Sequence, residues 1–200
     1  MVGIALERFD LVNGGGGDDV LTGGAGNDRM GGSQGADSMT GDDGDDLMGG
    51  GAGQDVMTGG AGNDQMGGGV GDDMLDGGAG DDVLFGGTDA DTFTINGSLG
   101  GRVDGNGGSD TLTGTAIDNV TVTTLDAMGA DGTEAQLGVG FFDIETITGT
   151  ATGDLTGPNA TATWTLDGSP TVASGGGTLT INGFDEFTGG TGADTFDVTA

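Results

Sequence analysis

The sequence predicts an all-β protein made of short strands stacked on one another. Three observations predict it. Glycine supplies 51 of the 200 residues. A nonapeptide block recurs from Gly14 to Thr94 without an insertion. Within each block one column is always large and apolar, which suits a short strand with a single inward residue. Acids number 33 against 3 bases, for a formal charge of −30. Low aliphatic content with this charge is the composition of chains that cannot offset their conformational entropy by apolar burial. Something besides a hydrophobic core must hold the chain together.

The elements follow in chain order. Residues 1–13 open with the apolar stretch IALERFDL (4–11) and read as a capping strand. A stack of strands needs such a cap against end-to-end association. Residues 14–94 then divide into GGGGDDVLT, GGAGNDRMG, GSQGADSMT, GDDGDDLMG, GGAGQDVMT, GGAGNDQMG, GGVGDDMLD, GGAGDDVLF and GGTDADTFT. The first column is always glycine. The sixth is always aspartate: Asp19, Asp28, Asp37, Asp46, Asp55, Asp64, Asp73, Asp82 and Asp91. The eighth is Leu21, Met30, Met39, Met48, Met57, Met66, Leu75, Leu84 and Phe93. The fourth is glycine except at Asp89.

Glycines tolerate positive φ, so G-G-x-G reads as a tight turn. The aspartate follows that turn, and D-x-U-x runs on as a short strand with the eighth residue inward and the mixed seventh column outward. Such a strand is unstable alone and needs like strands on both sides. Methionine shares the eighth column with leucine and reads as core filling, not as a soft-metal site. The further acids Asp18, Asp42, Asp43, Asp45, Asp72 and Asp81 either tune a cation site or solvate the turns.

The pattern G-G-x-G-x-D-x-U-x resembles the RTX family, the hemolysin-type calcium-binding repeats. The resemblance implies a right-handed parallel β-roll, a β-helix with two nonapeptides per coil. Odd blocks would then turn along one edge and even blocks along the other. It further implies calcium between equivalent turns of successive coils, held by the sixth-column carboxylates and by carbonyls of the glycine-rich turns. Five odd blocks leave four gaps and four even blocks leave three, which gives about seven Ca²⁺. Residues 14–94 carry 17 Asp and one Arg, and seven calcium ions would bring that −16 to −2. Without the metal, aspartates ~4.8 Å apart would repel, so folding is expected to depend on calcium.

Residues 95–200 differ, with 22 Thr and a charge of −13. Alternating runs at Val120/Val122, Trp164/Leu166 and Leu179/Ile181 predict strands. Between them lie LTGTAIDNV (112–120), ITGTATGDL (147–155) and FTGGTGADT (187–195), which read as isolated, degenerate nonapeptide turns separated by longer strands. The expectation is a Thr/Gly-rich β-solenoid or β-sandwich. Asp110 and Asp194, in the partial blocks GNGGSDTLT (105–113) and GGTGADTFD (189–197), are weaker calcium candidates.

The missing residue types exclude whole classes of chemistry. There is no Cys and no His, which removes thiolate zinc sites and Cys- or His-dependent catalysis. All three bases are arginines, so there is no P-loop lysine. The acidity argues against nucleic acid and anionic membranes as partners. The sequence holds no apolar run long enough to span a membrane. Oxygen ligands are almost the only ones on offer, and they suit hard cations such as Ca²⁺. No catalytic residue can be assigned. The N-terminus lacks a signal-peptide layout, and the resemblance implies type I secretion to the outside of a bacterium or to its surface. The chain ends just after a fresh turn, which fits a piece of a larger repeat protein or a complete chain with a short export tail.

The functional expectation is an extracellular calcium-binding module that folds after export and serves a structural or adhesive role. Its partners would be calcium, cell-surface or matrix components, or further copies of itself. Two other readings stand beside it: the noncatalytic repeat part of a secreted hydrolase or alginate epimerase, and a surface-layer or matrix filament protein.

Overall fold

The computed structural model describes residues 9–95, 101–114, 120–125, 130–133, 140–144, 146–156, 163–165, 171–174, 177–188 and 195–197. Among the described residues there are strands and turns and no helix. The first half contains β1 (Leu11–Gly16), β2 (Val20–Ala25), β3 (Arg29–Gln34), β4 (Ser38–Asp43), β5 (Leu47–Ala52) and β6 (Val56–Ala61). It continues with β7 (Gln65–Val70), β8 (Met74–Ala79), β9 (Val83–Thr88) and β10 (Thr92–Thr94).

Each strand pairs in parallel with the strand two further on. Val20 lies opposite Ser38 and Arg29 opposite Leu47, each partner standing in the same column two blocks later. The same two-block offset holds from β1–β3 to β8–β10. Two nonapeptides therefore make one coil, and the chain is a β-solenoid with two parallel stacks. Odd-numbered strands form one stack and even-numbered strands the other. The turns between them fall along two seams.

The eighth column fills the space between the stacks. Leu21, Met39, Met57, Leu75 and Phe93 come from one stack, and Met30, Met48, Met66 and Leu84 from the other, all buried in one cluster. One inward residue per nonapeptide is a thin core, as the composition requires.

Strand and turn divide differently from the sequence expectation. Each strand from β1 to β9 covers columns seven to nine and then one to three of the next block, and only columns four to six turn. Positive φ does not mark the boundary. Columns two and four take positive φ in every block from Gly14 to Thr94, yet column two stays in the ladder, as Gly24 does opposite Asp42, and column four opens the turn. Ser33 (φ 86°) and Asp42 (φ 75°) take it at column two and Asp89 (φ 80°) at column four, where the glycines are missing. The frame thus holds through the irregular third, fourth and ninth blocks.

The N-terminal cap is in register with the repeat. β1 pairs with β3 through Leu11–Arg29 and Val12–Met30, so Val12 stands in the eighth column and Asp10 in the sixth. Residues 1–8 lie outside the described residues.

Beyond β10 the coils continue with a shift. β11 (Arg102–Gly107) and β12 (Thr111–Thr113) pair with β9 and β10, and each partner lies one position beyond the two-block offset. Then come β13 (Val120–Leu125), β14 (Ala130–Thr133), β15 (Gly140–Ile144) and β16 (Thr146–Thr156). They are followed by β17 (Thr163–Thr165), β18 (Thr171–Ser174), β19 (Gly177–Thr188) and β20 (Thr195–Asp197). The even stack runs on in parallel through β16 and β19, where Leu112, Ile147 and Ile181 are successive partners. Antiparallel pairs β13–β14, β14–β15, β17–β18 and β18–β19 are inserted between coils. The second half is therefore a solenoid with antiparallel insertions.

One expected equivalence changes. The residues that flank the turns at 112–120 and 147–155 pair, Leu112 with Ile147 and Val120 with Leu155. The third does not begin at Phe187, because Ile147 pairs with Ile181 and Leu155 already pairs with Phe187. The segment 181–187 spans the same rungs in a shorter stretch of chain, and the β17–β18 insertion accounts for the long interval from Ile147 to Phe187. Of the expected inward pairs, Leu179 and Ile181 are buried.

Candidate calcium site

The sixth-column aspartates sit at the end of each turn, just before column seven re-enters the strand. All nine are buried, from 0 to 9 % exposed. Their carboxylates form a ladder along each seam. The backbone N–H of Asp37 donates to Asp55 Oδ1 and that of Asp55 to Asp73 Oδ1, both at 2.8 Å. The same bond links Asp19 to Asp37, Asp28 to Asp46, Asp46 to Asp64, Asp64 to Asp82 and Asp73 to Asp91. The carbonyl of each of these aspartates in turn accepts the column-seven N–H one coil later, as Asp37 does from Val56.

The second oxygen is treated differently. Oδ2 of Asp28, Asp37, Asp46, Asp55, Asp64, Asp73, Asp82 and Asp91 is buried with no hydrogen-bond partner. Burying such an oxygen unpartnered is costly, more so when it is ionised. The first-column glycine explains where it points. A Cβ at Gly50 would strike both Asp55 Oδ2 and the carbonyl oxygen of Gly68 one coil on. At Gly41 it would strike Asp46 Oδ2 and the Gly59 carbonyl oxygen. Carboxylate and carbonyl oxygens thus crowd the same point, and only glycine leaves room beside them.

Burial pushes six of these carboxyls, those from Asp46 to Asp91, above the ordinary carboxylate value. Asp64 and Asp73 are raised to about 6 and Asp91 to about 7. Burial is the largest cause in each case. The N–H bond from the preceding coil pulls the other way, and neighbouring carboxylates add to the rise. Asp46, Asp55 and Asp82 are raised for the same leading reason. Among the described residues no three carboxylates converge on one point. A cation here would take its ligands from carboxylates and backbone carbonyls together. Unpartnered buried oxygens in an all-oxygen setting fit Ca²⁺.

The weaker candidates separate. Asp110 belongs to the column: it is fully buried, and the Asp91 N–H donates to its Oδ1 at 2.9 Å across the lengthened coil. Asp194 lies outside the described residues. Asp10 was not anticipated as a site residue, yet its N–H donates to Asp28 Oδ1 at 2.8 Å. Counting one block back from Asp19 would have found it; the glycine-free block ALERFDLVN hid it. After Asp82 the even seam stops. Arg102 N–H reaches the Asp82 carbonyl, which places Gly101 where the next aspartate would stand.

The further acids have a structural part. Asp18, Asp45 and Asp72 accept the backbone N–H of Ala36, Asn63 and Ala90 in the following coil. Each seam is therefore held in both directions, backward by column six and forward by column five. Asp104, next to the shifted coil, pairs with Arg102, whose guanidinium lies 5.3 Å from the Phe85 ring centre.

The profile of the RTX calcium-binding nonapeptide repeat (4 copies) matches residues 5–39, 31–66, 40–75, 58–93, 67–100, 102–120 and 181–198. These matches cover well over half of the chain, which belongs to the RTX calcium-binding repeat family. The first match begins at residue 5, one block before Gly14, as the place of Asp10 in the ladder requires. Comparison with curated proteins and with solved structures gave no match. The chain is thus a calcium-binding repeat module on a structural β-solenoid. Among the described residues no helix is long and apolar enough to cross a membrane.

Proposed function

We propose that the chain is an extracellular module that folds when calcium fills the two seams after secretion, and that it serves a structural or adhesive role. The observation that carries this reading is the row of buried, unpartnered Oδ2 atoms. Their charge opposes closure of the coils, and a bound cation removes the opposition. The sixth-column carboxylates from Asp19 to Asp91, with carbonyls of the glycine-rich turns, hold the ions. Calcium supplies positive charge and a demand for six or more oxygen ligands. Residues 14–94 are the calcium roll, residues 1–13 its N-terminal cap, and residues 95–200 a Thr/Gly-rich extension.

The seven gaps between these aspartates rise to nine when Asp10 joins the even seam and Asp110 the odd one. Five even aspartates then leave four gaps and six odd ones leave five. Export in the calcium-poor state and folding outside follow from the coupling, and type I secretion fits it. The chain has no catalytic task in this reading. As part of a larger secreted enzyme or of a surface layer, the same module would do the same work.

Circular dichroism and small-angle scattering of the full chain, in calcium and in EGTA, test the coupling. The chain gains β signal and contracts with Ca²⁺, and Mg²⁺ at equal concentration substitutes poorly. A compact, β-rich state in EGTA would contradict the proposal.

A further inference from the structure

The eighth column is methionine in five consecutive nonapeptides: Met30, Met39, Met48, Met57 and Met66. They meet between the two stacks, and each is between 1 and 4 % exposed. Nothing in the fold demands methionine there. Leu21, Leu75 and Leu84 fill the same column and are equally buried. Met74 belongs to the seventh column and points outward, 52 % exposed.

A thioether is a two-electron reductant. Its sulfur attacks a hydroperoxide oxygen; the S–O bond forms as the O–O bond breaks, and the peroxide leaves as water or an alcohol. The product is a polar sulfoxide that needs a hydrogen-bond donor. In the middle of this stack its ladder neighbours are the other buried Met and Leu side chains of the core. A sulfoxide there is a buried acceptor without a partner, in a core already thin.

We propose that Met30, Met39, Met48, Met57 and Met66 form a calcium-gated oxidation site. The closed roll shields them. The metal-free chain presents them to hydroperoxides, and once oxidised they prevent the roll from closing when calcium arrives. The inference rests on the calcium-coupled folding proposed above, and Met74 serves as a reference inside the same molecule.

The test treats the full chain with hydrogen peroxide in calcium or in EGTA and maps sulfoxides by mass spectrometry of Asp-N peptides. In calcium the five should oxidise about tenfold or more slowly than Met74, since reaction waits on opening of the roll. In EGTA all six should react at similar rates. The chain oxidised in EGTA should then fail to regain its β signal on adding calcium. The M30L/M39L/M48L/M57L/M66L variant, treated identically, should regain it.

Circular dichroism of the untreated chain in EGTA separates the two claims. A β-rich spectrum there overturns the folding proposal and the gating with it. An unfolded spectrum with no faster oxidation of the five in EGTA overturns the gating alone. Full recovery of the oxidised wild-type chain overturns the block to closure.

Discussion

Replacing Asp73 by asparagine should move the roll in opposite directions with and without calcium. Asp73 is 1 % exposed, and its Oδ1 accepts the Asp55 N–H at 2.8 Å while Oδ2 has no partner. Asparagine is nearly isosteric and keeps a carbonyl oxygen for that N–H. Burial raises the Asp73 carboxyl from 3.8 to about 6. Holding it ionised in the closed, metal-free roll near neutral pH therefore costs on the order of 3 kcal/mol. Asp73→Asn removes that cost, so in EGTA the variant should show more β structure than the wild type. In calcium it lacks a charged ligand, and its folding midpoint should rise by at least the roughly 10–100-fold that loss of an outer-shell partner costs a metal site. Asp73→Ala is the control. It also leaves the buried Asp55 N–H unpaired, costing about 1–3 kcal/mol, so its gain in EGTA should be largely cancelled. Far-ultraviolet circular dichroism across a calcium titration near neutral pH reads all three chains. An unchanged midpoint for Asp73→Asn, or less β structure than wild type in EGTA, would refute the reasoning.

Further outcomes follow from the same geometry. Gly50→Ala should block closure around its coil, because the new Cβ meets Asp55 Oδ2 and the Gly68 carbonyl oxygen, whereas Gly49→Ala points into open space and should fold normally; thermal melts in calcium separate them. Ser33→Gly, Asp42→Gly and Asp89→Gly each relieve a side chain at positive φ, and each should stabilise the calcium form by about 1 kcal/mol; a lower melting temperature for all three would contradict the backbone frame. Acid should stand in for calcium: with Asp64, Asp73 and Asp91 raised to about 6, 6 and 7 in the closed roll, protonation supports the metal-free fold fully below about pH 4, and that support is lost as pH rises through 6 to 7. A chain in EGTA with no more β structure at about pH 4 than at neutral pH would count against this.

Much of the roll was legible because its physics repeats with every nonapeptide. One inward residue per block fixed the core column, and one aspartate per block fixed the seams. The two-block coil came with the family resemblance. The strand boundaries were not legible, since glycine stands at columns one, two and four alike while columns one to three stay in the strand and only column four opens the turn. Ser33, Asp42 and Asp89 stand where other blocks have glycine, yet Ser33 and Asp42 are held in the same conformation by ladders on both sides, and Asp89 adopts it in its turn. Asp10 was hidden because its block keeps the aspartate and the apolar residue but none of the glycines. In the second half the inserted β17–β18 pair disguised the spacing, so Phe187 was matched to Ile147 when its partner is Leu155.

Anomalous diffraction from crystals grown in calcium would locate the ions themselves. Two rows of calcium ions are expected, one along each seam, each ion beside the Oδ2 of a sixth-column aspartate, with the odd row running on to Asp110 and the even row ending at Asp82. A single row, or ions placed away from these carboxylates, would contradict this arrangement.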